Sequence, residues 1–98
     1  MYDVAIINYK MGNLFSVISA CSKVGLRAII TDDENIILKS KSIILPGAGS
    51  FKQAMENIKK KKLDITLMNF FKTGKPIMGI CLGMQLFFEK SSPNLQKI

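Results

Sequence analysis

Short, mostly apolar runs alternate with longer amphipathic stretches along the 98-residue chain. Short apolar runs bounded by Gly, Pro or charged residues predict buried strands, and here they lie at 4–7, 27–31, 42–45 and 75–80. Apolar residues at helical spacing predict helices at 14–24, 51–61 and 63–72. Asn13 precedes the first helix, and Gly25 and Gly74 are the predicted stops. The acidic stretch 32–34 is predicted to be a turn within a short loop.

The order of these elements predicts the fold class. Strand, helix, strand, short loop, strand, two helices and strand is typical of an α/β domain. It is predicted to be a flavodoxin-like parallel sheet of about four strands with helices on both faces. The length is enough for one compact domain and not for two. The chain is therefore treated as one domain, 1–98.

Function in such a sheet gathers at the carboxyl ends of the strands. Three loops meet that condition, at 8–13, 46–50 and 79–83. The second reads Pro-Gly-Ala-Gly-Ser, so its backbone N–H groups are free to face an anion or a developing oxyanion. The sequence contains neither G-x-G-x-x-G after the first strand nor G-x-x-x-x-G-K-S/T anywhere. A flavodoxin-like module that binds a phosphorylated ligand remains an alternative.

The third loop places Cys81 in the motif Gly-Ile-Cys-Leu-Gly, between the fourth strand and a stretch of helix formers. A strand that turns sharply into a helix at G-x-C-x-G is a nucleophile elbow with sulfur in place of the serine oxygen. The helix N-terminus favours the thiolate, and the N–H of Leu82 is available to an oxyanion. The alternative is a buried structural cysteine between two packing glycines. Cys21, on an apolar helical face, is predicted to be a core cysteine of that kind.

Composition limits the partners and cofactors. The net charge of +7 comes from 13 lysines and one arginine against seven acids. The lysine run 59–62 is best explained as the solvated end of a helix, because nucleic-acid surfaces usually mix arginine with aromatics. Histidine is absent and the two cysteines are far apart, so neither a metal nor a cofactor is predicted. No apolar run is long enough to cross a membrane, no secretory signal is visible, and two unpaired cysteines fit a reducing cytoplasm.

Three segments taken together resemble a known family. They are Gly-Ile-Cys-Leu-Gly-Met-Gln at 79–85, Leu-Pro-Gly-Ala-Gly-Ser-Phe at 45–51 and Tyr-Lys-Met-Gly-Asn-Leu at 9–14. The family is that of the class I glutamine amidotransferases, and within it the segments are most similar to the glutaminase subunits of imidazole glycerol phosphate synthases. The resemblance runs in order from Met1 to about Ser91. It implies the fold of that class and the N-terminal part of a single amidotransferase domain.

The resemblance also implies glutamine hydrolysis. Cys81 would attack the side-chain amide of glutamine, giving a thioester and releasing ammonia. The ammonia would pass through an internal tunnel to a (β/α)₈-barrel cyclase, the partner in a heterodimer, which makes imidazole glycerol phosphate in histidine biosynthesis. The other implied roles are oxyanion donors at Leu82, Ala48 and Gly49, substrate contacts at Gly47 and Gln85, and a partner interface at Met11 and Asn13.

The sequence departs from the family pattern in several places. Family members are roughly twice this length, and their catalytic histidine and its orienting glutamate lie in the second half. This chain has no histidine, and neither Glu56 nor Glu89 matches the glutamate. The pattern ends near Ser91, so a truncated chain is expected. Lys10 and Ala48 stand where glycine and valine are common.

Several functions stay open at this point. One is the glutaminase of the histidine pathway. Another is a sibling amidotransferase that serves a bacterial surface-polysaccharide sugar, and a third is a non-catalytic remnant or docking domain. Because the catalytic base is missing, the chain alone is expected to be inactive. An uncovered sheet edge is expected to make it marginally stable and prone to aggregation or association.

Overall fold

The computed structural model of the chain describes residues 1–10, 13–47 and 51–79. These residues form four strands and four helices. In chain order the elements are β1 (Val4–Ile7), α1 (Leu14–Lys23), β2 (Ala28–Thr31), α2 (Glu34–Lys39), β3 (Ser42–Leu45), α3 (Phe51–Lys60), α4 (Leu63–Lys72) and β4 (Ile77–Gly79).

The strands form one parallel sheet in the order β2-β1-β3-β4. In the centre, Ile6 of β1 pairs with Ile30 of β2 and Ile44 of β3. On the other side of β3, Leu45 pairs with Gly79 of β4. Parallel strands end at the same edge, so the segments after β1, β3 and β4 leave the sheet side by side. The predicted α/β class with a four-stranded parallel sheet is confirmed.

Helices cover both faces of the sheet, as predicted, and two apolar clusters result. Alternate strand residues face opposite sides of a sheet. The larger cluster lies against α2, α3 and α4 and contains Ala5, Ile7, Tyr9, Ile37, Ile43, Leu45, Ala54, Ile58, Leu63, Leu67 and Phe70. The smaller one lies against α1 and contains Val4, Ile6, Cys21 and Ile44. Cys21 is 6% exposed with an unpaired thiol, which confirms its prediction as a core residue.

The prediction of a short loop between the second and third strands is wrong, because helix α2 occupies this stretch. Asp33 is its N-cap residue, and its Oδ1 accepts the backbone N–H of Asn35 at 2.8 Å and of Ile36 at 3.2 Å. Ile37 is fully buried in the larger cluster. The acidic residues that were interpreted as a turn are therefore a helix start. A six-residue helix is also too short to show clear periodicity.

The other predicted helix boundaries are close to those observed. Asn13 caps α1, since its Oδ1 accepts the N–H of Ser16 at 3.1 Å. Gly25 and Gly74, the predicted stops, both have positive φ, +82° and +78°, a conformation that glycine adopts without steric cost. β4 begins at Ile77, two residues after the predicted start.

The two faces of the sheet are not covered equally by the described residues. Between α1 and the β3–β4 side lies an open apolar groove of about 450 Å³, lined mainly by Val17, Cys21, Val24, Ile44 and Met78. The Met78 side chain is 58% exposed. Among the described helices, none combines the length and apolar character needed to span a bilayer.

Candidate active site

The carboxyl edge of the sheet brings together the three segments that the sequence singled out. β1 leads to Asn8 and Tyr9, β3 leads to Pro46 and Gly47, and β4 ends at Gly79, beside Leu45 in the sheet register. The sequence motif that contains Cys81 begins at Gly79. The described first residues of the cysteine motif and of the glycine-rich segment, Gly79 and Pro46, therefore lie at the same edge.

Tyr9 connects the first two of these segments. Its side chain is fully buried in the larger cluster, and its hydroxyl donates a hydrogen bond to the carbonyl oxygen of Pro46. Pro46 and Gly47 are themselves buried. A buried hydroxyl needs a partner, and the Pro46 carbonyl supplies one across the edge of the sheet.

Helix α3 fixes the backbone of the same tyrosine. Asn57 Nδ2 donates to the carbonyl oxygen of Tyr9 at 3.0 Å, and Gln53 Nε2 donates to Asn57 Oδ1 at 2.9 Å. Gln53 and Asn57 are four residues apart, so they share one face of the helix. Tyr9 thus contacts residues on both sides of the 48–50 segment: Pro46 before it and Asn57 after it.

Burial raises the pKa of Tyr9 to about 12, because an apolar surrounding disfavours the phenolate. Burial therefore extends the pH range over which the phenol keeps its proton, and the neutral hydroxyl acts as a hydrogen-bond donor. This makes Tyr9 a structural donor at the edge of the site and not a general base for chemistry near neutral pH.

The exposed turn after β1 carries backbone strain. Lys10 has a φ of +65°, which is uncommon for a residue with a Cβ, and its N–H donates to Asn8 Oδ1 at 3.3 Å. Glycine adopts this conformation without that penalty. The resemblance noted above has glycine at this position, and the backbone conformation gives the reason.

Two of the eight predicted site residues lie within the described part of the chain. Gly47 is buried directly after Pro46, at the edge where the prediction placed it. Asn13 is exposed, and its side chain caps α1. The predicted residues outside the described ranges are Met11, Ala48, Gly49, Cys81, Leu82 and Gln85. Within those ranges, no group of three or more metal-ligating side chains gathers.

Sequence reasoning missed Tyr9 and Asn57 as parts of this site. Tyr9 was noted only within the segment 9–14, and Asn57 within an amphipathic helix. A weak signal was present in each case. A tyrosine directly after a buried strand has a hydroxyl that needs a partner, and Gln53 with Asn57 forms a polar i, i+4 pair.

Comparison with known proteins identifies the family of this chain. The sequence model of the family Glutamine amidotransferase class-I matches residues 5–97. Three similar curated proteins all carry the name imidazole glycerol phosphate synthase subunit HisH. The one from Bacillus cytotoxicus is 51% identical over 88 residues, which are 90% of this chain and 42% of the relative.

The other two relatives are similar to about the same degree. The protein from Wolinella succinogenes is 48% identical over 88 residues, covering 90% of this chain and 43% of the relative. The protein from Oceanobacillus iheyensis is 47% identical over 91 residues, covering 93% and 45%. The chain thus spans less than half the length of the curated relatives it matches.

Proposed function

Because this chain belongs to the class I glutamine amidotransferase family, we propose that it carries the cysteine nucleophile of a glutaminase that supplies ammonia to a synthase. One observation carries the proposal. β4 pairs with β3 and ends at Gly79, where the Gly-Ile-Cys-Leu-Gly motif begins, beside the strand that leads to Gly47. A cysteine after a strand and a glycine-rich segment on the neighbouring strand are the parts that acyl transfer needs.

In the proposed reaction the Cys81 thiolate attacks the side-chain amide carbon of glutamine. A C–S bond forms and the carbonyl oxygen becomes an oxyanion, which accepts hydrogen bonds from the N–H groups of Leu82, Ala48 and Gly49. The intermediate then breaks its C–N bond, and the nitrogen leaves as ammonia after taking up a proton. Water hydrolyses the resulting thioester to glutamate and free Cys81. Gly47 and Gln85 contact the substrate.

The base in this reaction comes from outside these 98 residues. The chain contains no histidine, and the described residues place no carboxylate within the Tyr9, Pro46 and Asn57 network. Loss of one member of a catalytic triad typically lowers the rate by several powers of ten. The chain by itself is therefore expected to release no measurable ammonia.

We propose a (β/α)₈-barrel cyclase as the partner, with Met11 and Asn13 at the interface. The curated relatives are named as subunits of imidazole glycerol phosphate synthase. This supports the histidine pathway as the destination of the ammonia, and we propose the cytoplasm as its compartment. The same relatives' names favour this acceptor over a surface-polysaccharide sugar. A non-catalytic docking domain is the second candidate, since the triad base is absent from the sequence.

The test is ammonia release from glutamine by the chain alone and in the presence of the cyclase, with Cys81→Ala as the matched variant. We expect no Cys81-dependent ammonia from the chain alone, because the base is absent. Cys81-dependent ammonia with the cyclase would support the glutaminase and show that the base comes in trans. If both mixtures are inactive while the chain still binds the cyclase, the docking function replaces the glutaminase.

A further inference from the structure

One residue holds both flanks of the glycine-rich segment at the carboxyl edge. The hydroxyl of Tyr9 donates to the carbonyl of Pro46, just before residues 48–50. The carbonyl of Tyr9 accepts from Asn57, in the helix that begins directly after them. We propose that Tyr9 is a positioning residue that fixes the direction of the Pro46–Gly47 peptide, from which the segment with the proposed oxyanion donors follows in the sequence. The proposal deepens the proposed function and rests on it for the role of that segment.

Tyr9 is well placed to hold a peptide in one orientation. Its ring is fully buried among the residues of the larger cluster, so the side chain has little freedom to follow a moving loop. Separate hydrogen bonds hold its backbone. The N–H of the preceding residue, Asn8, donates to Thr31 O of β2 at 2.9 Å, and Asn57 of α3 donates to Tyr9 O at 3.0 Å. Tyr9 is therefore held both by the packing of its ring and by hydrogen bonds along its backbone.

The geometry of the peptide bond carries this restraint to the site. The described residues contain no cis peptide bond, so C=O and N–H of the Pro46–Gly47 peptide point in opposite directions. With the Pro46 oxygen held by Tyr9 on the core side, the Gly47 N–H faces away from the core. Loss of the hydroxyl would leave the Pro46 carbonyl without this restraint, and rotation of the peptide would redirect the Gly47 N–H.

A purely structural role for the hydroxyl makes a different prediction. If Tyr9 only satisfied a buried carbonyl, its removal would lower stability without changing the direction of the Gly47 N–H. If Tyr9 positions the segment, its removal changes both the Pro46 carbonyl and the Gly47 amide. The two cases are separable by the orientation of the Gly47 N–H bond, which residual dipolar couplings in an aligned sample report.

The sequence allows that bond to be observed alone. Pro46-Gly47 is the only Pro-Gly pair in the chain, so protein labelled with carbonyl ¹³C in proline and ¹⁵N in glycine gives one correlated NMR signal. The variant is Tyr9→Phe, which removes only the hydroxyl. The matched control is Tyr2→Phe, at the only other tyrosine, whose ring lies 5.8 Å from the Arg27 guanidinium carbon, before β1.

We expect Tyr9→Phe to shift the Pro46 carbonyl to the lower frequency of an unbonded carbonyl and to change the residual dipolar coupling of the Gly47 N–H bond, whereas Tyr2→Phe changes neither. An unchanged Gly47 coupling in folded Tyr9→Phe would overturn the proposal. If Tyr9→Phe does not fold, the unmodified chain decides. A buried Tyr9 hydroxyl bonded to Pro46 exchanges slowly, so a ¹³C-labelled Tyr9 Cζ gives two signals in an equal mixture of H₂O and D₂O, and a single averaged signal would also overturn it.

A second measurement connects the peptide to Cys81. The diazoketone analogue of glutamine alkylates a glutaminase cysteine: the C–S bond forms, the diazo carbon takes a proton and N₂ leaves. Its ketone uses the oxyanion donors, whereas iodoacetamide alkylates a thiolate without them. We expect Tyr9→Phe to slow diazoketone labelling of Cys81 by about ten-fold or more and to leave iodoacetamide labelling unchanged.

The outcomes separate this inference from the proposed function. Equal diazoketone rates in Tyr9→Phe and the unmodified chain would overturn the positioning role. If the unmodified chain reacts with iodoacetamide at Cys81 and not with the diazoketone, both alone and with the cyclase, the proposed glutaminase site fails. The NMR signal of the Pro46–Gly47 pair then still decides whether Tyr9 fixes this peptide.

Discussion

At the scale of single residues, burial and backbone conformation explain the two unusual positions after β1. Lys10 adopts a positive φ of +65° although its Cβ disfavours this conformation. Tyr9 keeps its phenol proton to a higher pH than an exposed tyrosine because its surroundings are apolar. Both residues lie between β1 and α1, where the chain must turn from the buried sheet to an exposed helix. The positive φ of Lys10 and the buried hydroxyl of Tyr9 constrain the start of this turn.

The raised pKa of Tyr9 makes stability depend on pH in the alkaline range. The value rises from 10.0 to about 12 on folding, so the native state retains a proton that the unfolded state has lost. The contribution of Tyr9 to the free energy of unfolding is fully present below about pH 10. It is lost as the pH rises toward 12, by about 1.4 kcal/mol per pH unit. We expect the free energy of unfolding to fall less steeply between pH 10 and 12 in Tyr9→Phe than in the Tyr2→Phe control.

Urea unfolding at a series of pH values checks this prediction. The two variants share every ionisable group except the two tyrosines, so the informative quantity is the difference in slope between them and not the slope of either one. Parallel pH profiles for Tyr9→Phe and Tyr2→Phe would show that Tyr9 is not buried as the structure describes.

At the scale of elements, the N-cap of α2 is the clearest test of a local sequence signal. Asp33 accepts two backbone N–H groups, and the helix that it starts has only six residues. We expect Asp33→Ala to lower the free energy of unfolding by about 1 kcal/mol. Asp33→Asn keeps an acceptor oxygen at the same place and should keep most of that stability. The measurement is the urea midpoint of each variant at constant slope.

Comparison of the two substitutions separates capping from charge. An acidic residue at a helix start also interacts with the helix dipole. If Asp33→Asn is as destabilising as Asp33→Ala, the stabilisation comes from the charge rather than from the two hydrogen bonds. Equal stability of all three proteins would mean that packing of Ile37 alone forms α2.

The sequence predicted the strands and the long helices well, because their apolar periodicity repeats over several residues. It did not predict α2, whose signal is the single Asp33 cap and the single buried Ile37. The carboxyl edge could be predicted from strand order and glycine content, and Gly47 lies there. The Tyr9 hydrogen bond to Pro46 spans 37 residues. No periodicity in the sequence reports a contact of that kind.

At the scale of the whole molecule, the strand order explains why the faces are unequal. The chain moves from β1 outward to β2 through α1, so α1 packs beside β1 and β2. α2, α3 and α4 lie on the opposite face, where the larger cluster forms. The α1 side of β3 and β4 is therefore the face that the described helices leave least covered. Sequence order alone predicted helices on both faces and could not predict this imbalance, since it arises from the position of β2 next to β1.

The exposed groove gives a prediction for the behaviour of the chain in solution. Met78 lies on β4, the edge strand of the described sheet, with 58% of its surface exposed. Apolar edge strands favour association, and lysine on such a strand opposes it. We expect Met78→Lys to reduce both binding of an apolar fluorescent dye and concentration-dependent sedimentation. The control is Met68→Lys, which adds the same charge to an exposed methionine of α4.

The Met68→Lys control decides whether a reduced association comes from the change in the groove or from the added charge. Both variants raise the net charge from +7 to +8 (7 + 1), so a general gain in solubility would change them equally. An effect confined to Met78→Lys assigns the association to the β4 side of the sheet. A sharp, reversible, monomeric unfolding transition of the unmodified chain would contradict the expectation of marginal stability. In that case the apolar groove beside α1 would be compatible with a stable monomer, because the larger cluster on the opposite face would suffice to hold the fold.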